Sequence, residues 1–218
     1  MTRLFLFVAV LATTIGPALA QCTTSWTNAV GGDWNDAANW SGGAIPGPAD
    51  DACVDLAGTY IVSNISGAAI TVNRLTIGGA SGAQTLISNL GIAIGAPSTV
   101  EANGEIEWRR GYLSGGTSLT NNGLITIRTN FTGAARGIQD LGTVLINEAT
   151  IEWMEDELHL FDDGALVNNG TIQKTLAAPF APFMTQGGVN TGSRLFTNNG
   201  TIDVQVGRLD LDAESRHV

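Results

Sequence analysis

Apolar and polar residues alternate with a period of two through much of the chain, and the alternation returns in near copies. "LTNNGLITI" (119–127), "LVNNGTIQK" (166–174) and "FTNNGTIDV" (196–204) are the clearest, with "VEANGEIEW" (100–108) and "LINEATIEW" (145–153) as weaker versions. Each places an apolar residue (Val100, Leu119, Leu145, Leu166, Phe196) before a polar turn and an isoleucine after it (Ile106, Ile125, Ile151, Ile172, Ile202). Period two means strand rather than helix. Asn and Gly tolerate positive φ, so the NNG turn is expected to bend the chain between two short strands.

The isoleucines step by 19, 26, 21 and 30 residues, while the nonapeptides align without a gap. A fixed motif at irregular steps describes one short unit separated by loops of variable length. So small a unit cannot bury its apolar side alone; neighbours must stack to make a core. Stacking would put Asn121, Asn147, Asn168 and Asn198 above one another, where amides can hydrogen-bond along the stack. Trp108 and Trp153 then fall on an interior row with Ile127 and Val204, and Glu107, Thr126, Glu152, Gln173 and Asp203 form an outward row. The expected fold is an all-β parallel solenoid with coils about 4.8 Å apart and essentially no helix. A sandwich gives no reason for near-identical nonapeptides, and a propeller blade needs a longer repeat.

The first twenty residues, MTRLFLFVAVLATTIGPALA, read as an export signal ending at Ala18-Leu19-Ala20. Its apolar run is too short to span a membrane, and Gln21 before Cys22 argues against a lipid anchor. Cys22 and Cys53 are the only cysteines, and in an exported chain they are expected to pair. Closing that loop stabilises by roughly 3–4 kcal/mol in the chain-entropy model. With 20 acidic against 10 basic residues and a net charge of −10, nucleic acid and anionic membranes are poor partners.

"NNGTI" with "LTIGG" (75–79), preceded by "WTNAVGGDWNDAANWSGGAIPGPADDACVDLAGTYIV" (26–62), resembles the secreted bacterial right-handed β-helix proteins of the autotransporter-passenger or surface-adhesin type. In those proteins a W…G.W…NW..G..P…D motif opens the helix. The resemblance implies a right-handed parallel β-helix, exported to the cell surface or outside the cell, structural or adhesive and without catalysis. The chain then divides into a signal (1–20), an N-terminal cap with the first strands (21–62) and coils (63–218). No C-terminal cap is visible after "VGRLDLDAESRHV", so the chain is expected to be part of a longer β-helix.

Several residues are candidates for a site. Trp26, Trp34 and Trp40 with Pro46 and Pro48 could stack on a sugar, or cover the open apolar end of the first coil; the second reading is favoured. Asp50, Asp51 and Asp55 match no EF-hand spacing. In "IEWMEDELHLFDD" (151–163), Glu155, Asp156, Glu157, Asp162 and Asp163 are candidate Ca²⁺ ligands, and a carboxylate pair there could act on a glycosidic bond. Against both, Leu158 and Leu160 face inward, which leaves Glu157 and His159 on a solvated face. Arg109, Arg110 and Arg128 follow strands and could meet an acidic polymer, as a polysaccharide lyase or hydrolase requires. A non-catalytic carbohydrate-binding module is a further alternative. The expected partners are an extracellular polysaccharide or other surface proteins. Asn39, Asn64, Asn130, Asn169 and Asn199 stand in N-x-S/T sequences, two of which the NNGT repeat itself explains. No P-loop, HExxH, nucleophile elbow or dinucleotide fingerprint is present.

Overall fold

The structure, a computed structural model, describes residues 22–128, 138–155, 157–175, 183–186, 195–211 and 215–217. The signal segment, Asn130 and Asp156 lie outside the described residues. Among those described, every pairing between strands is parallel. The sole helical element among the described residues is a 3₁₀ turn, Ala37–Asn39. The chain is a β-solenoid whose coils pass in turn along three faces.

The first face stacks Ile70–Val72, Ile92–Ile94, the start of Gly111–Asn121, the start of Ile138–Asn147, Glu157–Leu160, Phe183–Gln186 and Asp210–Leu211. The second runs from Thr24–Ser25 through Asp51–Val54, Arg74–Ile77 and Ser98–Val100. It continues along the ends of the two long strands to Ala165–Asn168, Leu195–Asn198 and Ser215–His217. Gly111–Asn121 and Ile138–Asn147 round the corner between these faces, so the two form one 14-stranded sheet. The corner is an irregularity in register between Ser114 and Ser118. The third face is a separate sheet of eight strands: Gly32–Asp33, Gly58–Asn64, Gly82–Ser88, Gly104–Trp108, Leu124–Ile127, Thr150–Trp153, Thr171–Lys174 and Thr201–Val204.

The repeat isoleucines pair in direct register, Ile106 with Ile125, Ile125 with Ile151, Ile151 with Ile172 and Ile172 with Ile202. The column extends upward through Leu86 and Val62 to Gly32, so three coils precede the first recognisable repeat. Alternating burial along each strand follows from the pleat: one set of side chains fills the interior and the other faces water.

Two details depart from the sequence reading. The gapless alignment fails in the coil of Val100, which pairs with Asn121 rather than Leu119; Ser98 lies opposite Leu119. The bend at residues 101–103 is longer than that at 122–123, so the isoleucines stay in step while the preceding strand slips by two residues. The glycines of NNG serve a different purpose from the one expected. Gly123, Gly170 and Gly200 are not among the positive-φ residues. They are small because the next coil is close: a Cβ on Gly170 would strike the carbonyl of Ala149, and one on Gly200 that of Gly170.

Candidate functional site

The amide column forms as a continuous ladder. Asn121 Nδ2 donates to Asn147 Oδ1 (2.7 Å), Asn147 Nδ2 to Asn168 Oδ1 (2.7 Å) and Asn168 Nδ2 to Asn198 Oδ1 (2.6 Å). The same nitrogens reach the carbonyls of Thr150, Thr171 and Thr201 in the following coil, at 2.8, 3.1 and 3.2 Å. These carbonyls flank tight bends, and the amides satisfy polar groups that would otherwise face the core unpaired. Outside the same bends Asn199 Nδ2 donates to Asn169 Oδ1 (2.9 Å) and Asn169 Nδ2 to Glu148 Oε1 (2.7 Å). Two of the N-x-T asparagines are therefore exposed members of an outer row. Asn39 and Asn64 are buried.

At the N-terminal end Trp26, Trp34 and Trp40 are only 1–2 % exposed and meet edge to face, with centroids 5.1 Å (Trp26–Trp40) and 4.5 Å (Trp34–Trp40) apart. Trp26 Nε1 donates to the Asn28 carbonyl (2.7 Å) and Trp40 Nε1 to that of Trp34 (2.8 Å). Rings so covered have no face to offer a sugar; they extend the core into the first coil. Cys22 and Cys53 form a disulfide. Asp55 lies beside them, but sulfurs bonded to each other are not thiolate ligands, so this trio makes no metal site. The bridge adjoins an open groove of about 850 Å³ with Cys53, Thr76 and Thr99 along its floor and Asp55, Glu101 and Asn103 on the overhanging bends. Tyr60, inside the neighbouring strand, has its phenol pushed up to about 12, by burial first and then by the Asp55 carboxylate.

The acidic segment is not gathered. Glu155 and Glu157 stand before and at the start of the strand Glu157–Leu160, while Asp162 and Asp163 sit in the exposed turn beyond its far end. A strand advances about 3.3 Å per residue, too far for oxygens that must each come within roughly 2.6 Å of one Ca²⁺. Among the described residues, no group of three carboxylate or imidazole ligands converges in this segment.

On the third face the outward charges are tied to one another. Glu107 Oε1 receives Arg109 Nε at 2.7 Å and Arg128 Nε at 3.1 Å. Glu105 accepts from Thr85 (3.1 Å) and Thr126 (3.0 Å), and Glu152 accepts from Thr175. Trp108 and Trp153 are interior, and Lys174 occupies the next rung of their row, 2 % exposed, with Nζ donating to the Met154 carbonyl (3.2 Å). A buried lysine in that row breaks the apolar pattern.

The first face holds what the sequence reading passed over. Tyr112, Asp140 and His159 stack in register on its outer side, and His159 Nδ1 lies 2.8 Å from Asp140 Oδ1. The Tyr112 ring lies over Gly91 and the Phe161 ring over Gly142. The only available signal was a glycine at an outward strand position, legible once the strands are in register. Among protein-family models, curated proteins and solved structures, no match to this chain was found.

Proposed function

We propose that this chain is a non-catalytic module of a cell-surface or extracellular protein, exported and structural or adhesive, of the kind found in autotransporter passengers. What supports it most is the closed pairing of charge on the third face. An enzyme acting on an acidic polymer needs cations free to meet it, and a glycosidase needs carboxylates free to exchange protons. Here Glu107 engages both Arg109 and Arg128, while Glu105 and Glu152 bridge coils through threonine hydroxyls. Such contacts occupy these groups with one another rather than offer them to a substrate. The Cys22–Cys53 disulfide is compatible with an extracellular setting, and no described helix is long and apolar enough to cross a membrane.

Incubation with polygalacturonate, alginate and neutral glycans tests this reading. The expected result is no new unsaturated or reducing ends, at any pH at which the fold persists. Turnover abolished by Glu107→Gln or Arg128→Ala would replace the scaffold reading with the lyase or hydrolase alternative.

A further inference from the structure

The outer side of the first face carries two aromatic rings laid on bare backbone. A Cβ built on Gly142 would lie 2.6, 2.8 and 3.1 Å from Cζ, Cε1 and Cε2 of Phe161. Three such distances to consecutive ring atoms place the point over the ring face near its Cζ end, so the outer part of the ring lies face-on over the glycine. The same holds for Tyr112 over Gly91, where the three contacts are closer still and more nearly equal. A side chain at either glycine would tip its ring away.

Each ring therefore has one face on the sheet, and Tyr112 remains 37 % exposed. Gly91 lies one coil above Tyr112, next to the Ile92–Leu113 pair, and Gly142 one coil below Ser114. The rings thus sit two coils apart, about 10 Å along the stack, and are offset by one outward position across it. Between and beside them stand Asp140 and His159, whose side chains are 41 % and 27 % exposed. His159 Nδ1 meets Asp140 Oδ1 at 2.8 Å; an imidazole has a second ring nitrogen and a carboxylate a second oxygen, so both groups keep hydrogen-bonding capacity beyond that contact.

We infer that this face binds a neutral glycan chain, with Tyr112 and Phe161 stacking on sugar rings and Asp140 and His159 hydrogen-bonding to sugar hydroxyls. The apolar C–H face of a pyranose complements an aromatic π face, and the ring separation spans two to three consecutive sugars. A sugar hydroxyl both donates and accepts, so it can pair with the carboxylate and with the imidazole alike. An acidic polymer fits poorly: the outward strand positions Thr71, Ala93, Tyr112, Ser114, Asp140, Gly142 and His159 include no lysine or arginine, and the chain carries a net charge of −10. The inference rests on the non-catalytic reading and gives its adhesive form a ligand class.

The test is affinity electrophoresis and calorimetry of the whole chain on soluble mixed-linkage β-glucan, xyloglucan and galactomannan, with polygalacturonate and alginate as acidic counterparts. At least one neutral glycan should retard the protein and the acidic ones should not. Tyr112→Ala and Phe161→Ala should each weaken retention roughly tenfold or more. Because either change uncovers a glycine and could loosen the sheet, Asp140→Asn serves as the surface variant; it should weaken binding several-fold at unchanged melting temperature. No retardation on any neutral glycan, retention on acidic polymers alone, or retention indifferent to all three variants would overturn the inference. Absence of binding without cleavage sinks this inference alone, whereas cleavage sinks the non-catalytic reading and leaves the binding result to stand.

Discussion

The upper and lower coils share one interior column and fill it with different chemistry. From the top it reads Val54, Ile77, Val100, then Asn121, Asn147, Asn168, Asn198, each in register with the next. The aliphatic rungs precede bends at residues 55–57, 78–81 and 101–103, and the amide rungs precede two-residue bends at 122–123, 148–149, 169–170 and 199–200. A longer bend has slack to pair its own polar groups. In the bend at 78–81 an amide comes from further along: Gln84 Oε1 accepts from Gly79 N (2.6 Å), and Gln84 Nε2 donates to Ser81 O (3.0 Å) and to Gly58 O. A two-residue bend has no slack, and the carbonyl that follows it, that of Thr150, Thr171 or Thr201, is met by the asparagine of the preceding coil. The column then needs a donor at each rung, and Asn is short enough to supply one. Bend length thus selects between hydrophobic burial and a polar ladder at one interior position.

Exchanging the two chemistries should break this comparison most severely. Asn147→Leu deprives the carbonyl of Thr171 and Asn168 Oδ1 of their amide donor and leaves Asn121 Nδ2 with one partner of two, the Thr150 carbonyl, a loss of about 3–5 kcal/mol at roughly 1–3 kcal/mol per buried unpaired group with some relaxation. Ile77→Asn should cost a similar amount, because Val54 and Val100 on either side offer no amide partner. Urea unfolding of both variants measures it, and a neutral result for either would mean that the residue does not follow the bend.

Reducing the Cys22–Cys53 bridge should remove roughly 3–4 kcal/mol and act on the upper coils first. Hydrogen exchange should therefore show loss of protection in Asp51–Val54 well before Thr171–Lys174. Next in size is an alkaline effect confined to the same end. Tyr60 ionises at about 12 in the fold against 10.0 in a free chain. The neutral phenol is thus the form the fold prefers; its contribution is whole below pH 10 and is lost as the pH climbs to 12. The loss amounts to about 2–3 kcal/mol, which Tyr60→Phe should abolish, as read by unfolding at pH 9 and pH 12. Arg128→Ala, which removes a guanidinium 40 % exposed from Glu107, should change stability by less than about 0.5 kcal/mol. A large loss there would mean that the third-face charges carry the stack rather than decorate it.

The lower coils were legible because their bends are alike: identical bends keep identical residues at identical positions, so both the Asn ladder and the isoleucine column could be read directly. Val62 and Leu86 belong to the same column but follow bends of other lengths, so no nonapeptide marks them. The slip at Ser98 and Val100 has the same cause. The disulfide needed only two cysteines and the expectation of export. The aromatic face was not legible, because Tyr112 and Gly91 become neighbours through pairing between coils and neither belongs to a repeat. The three tryptophans that drew attention as a sugar platform are in the core. Large aromatic residues in a short opening segment are noticed whichever way they face.

The side-chain amides of the ladder offer the most direct test. In a buried, continuous ladder the Nδ2 protons of Asn121, Asn147 and Asn168 exchange with deuterium slowly and together, and each shows a nuclear Overhauser contact to the asparagine of the next coil. That is the predicted result. Exchange of these three at the rate of exposed Asn122 or Asn199, or contacts that skip a coil, would contradict the solenoid register on which the rest depends.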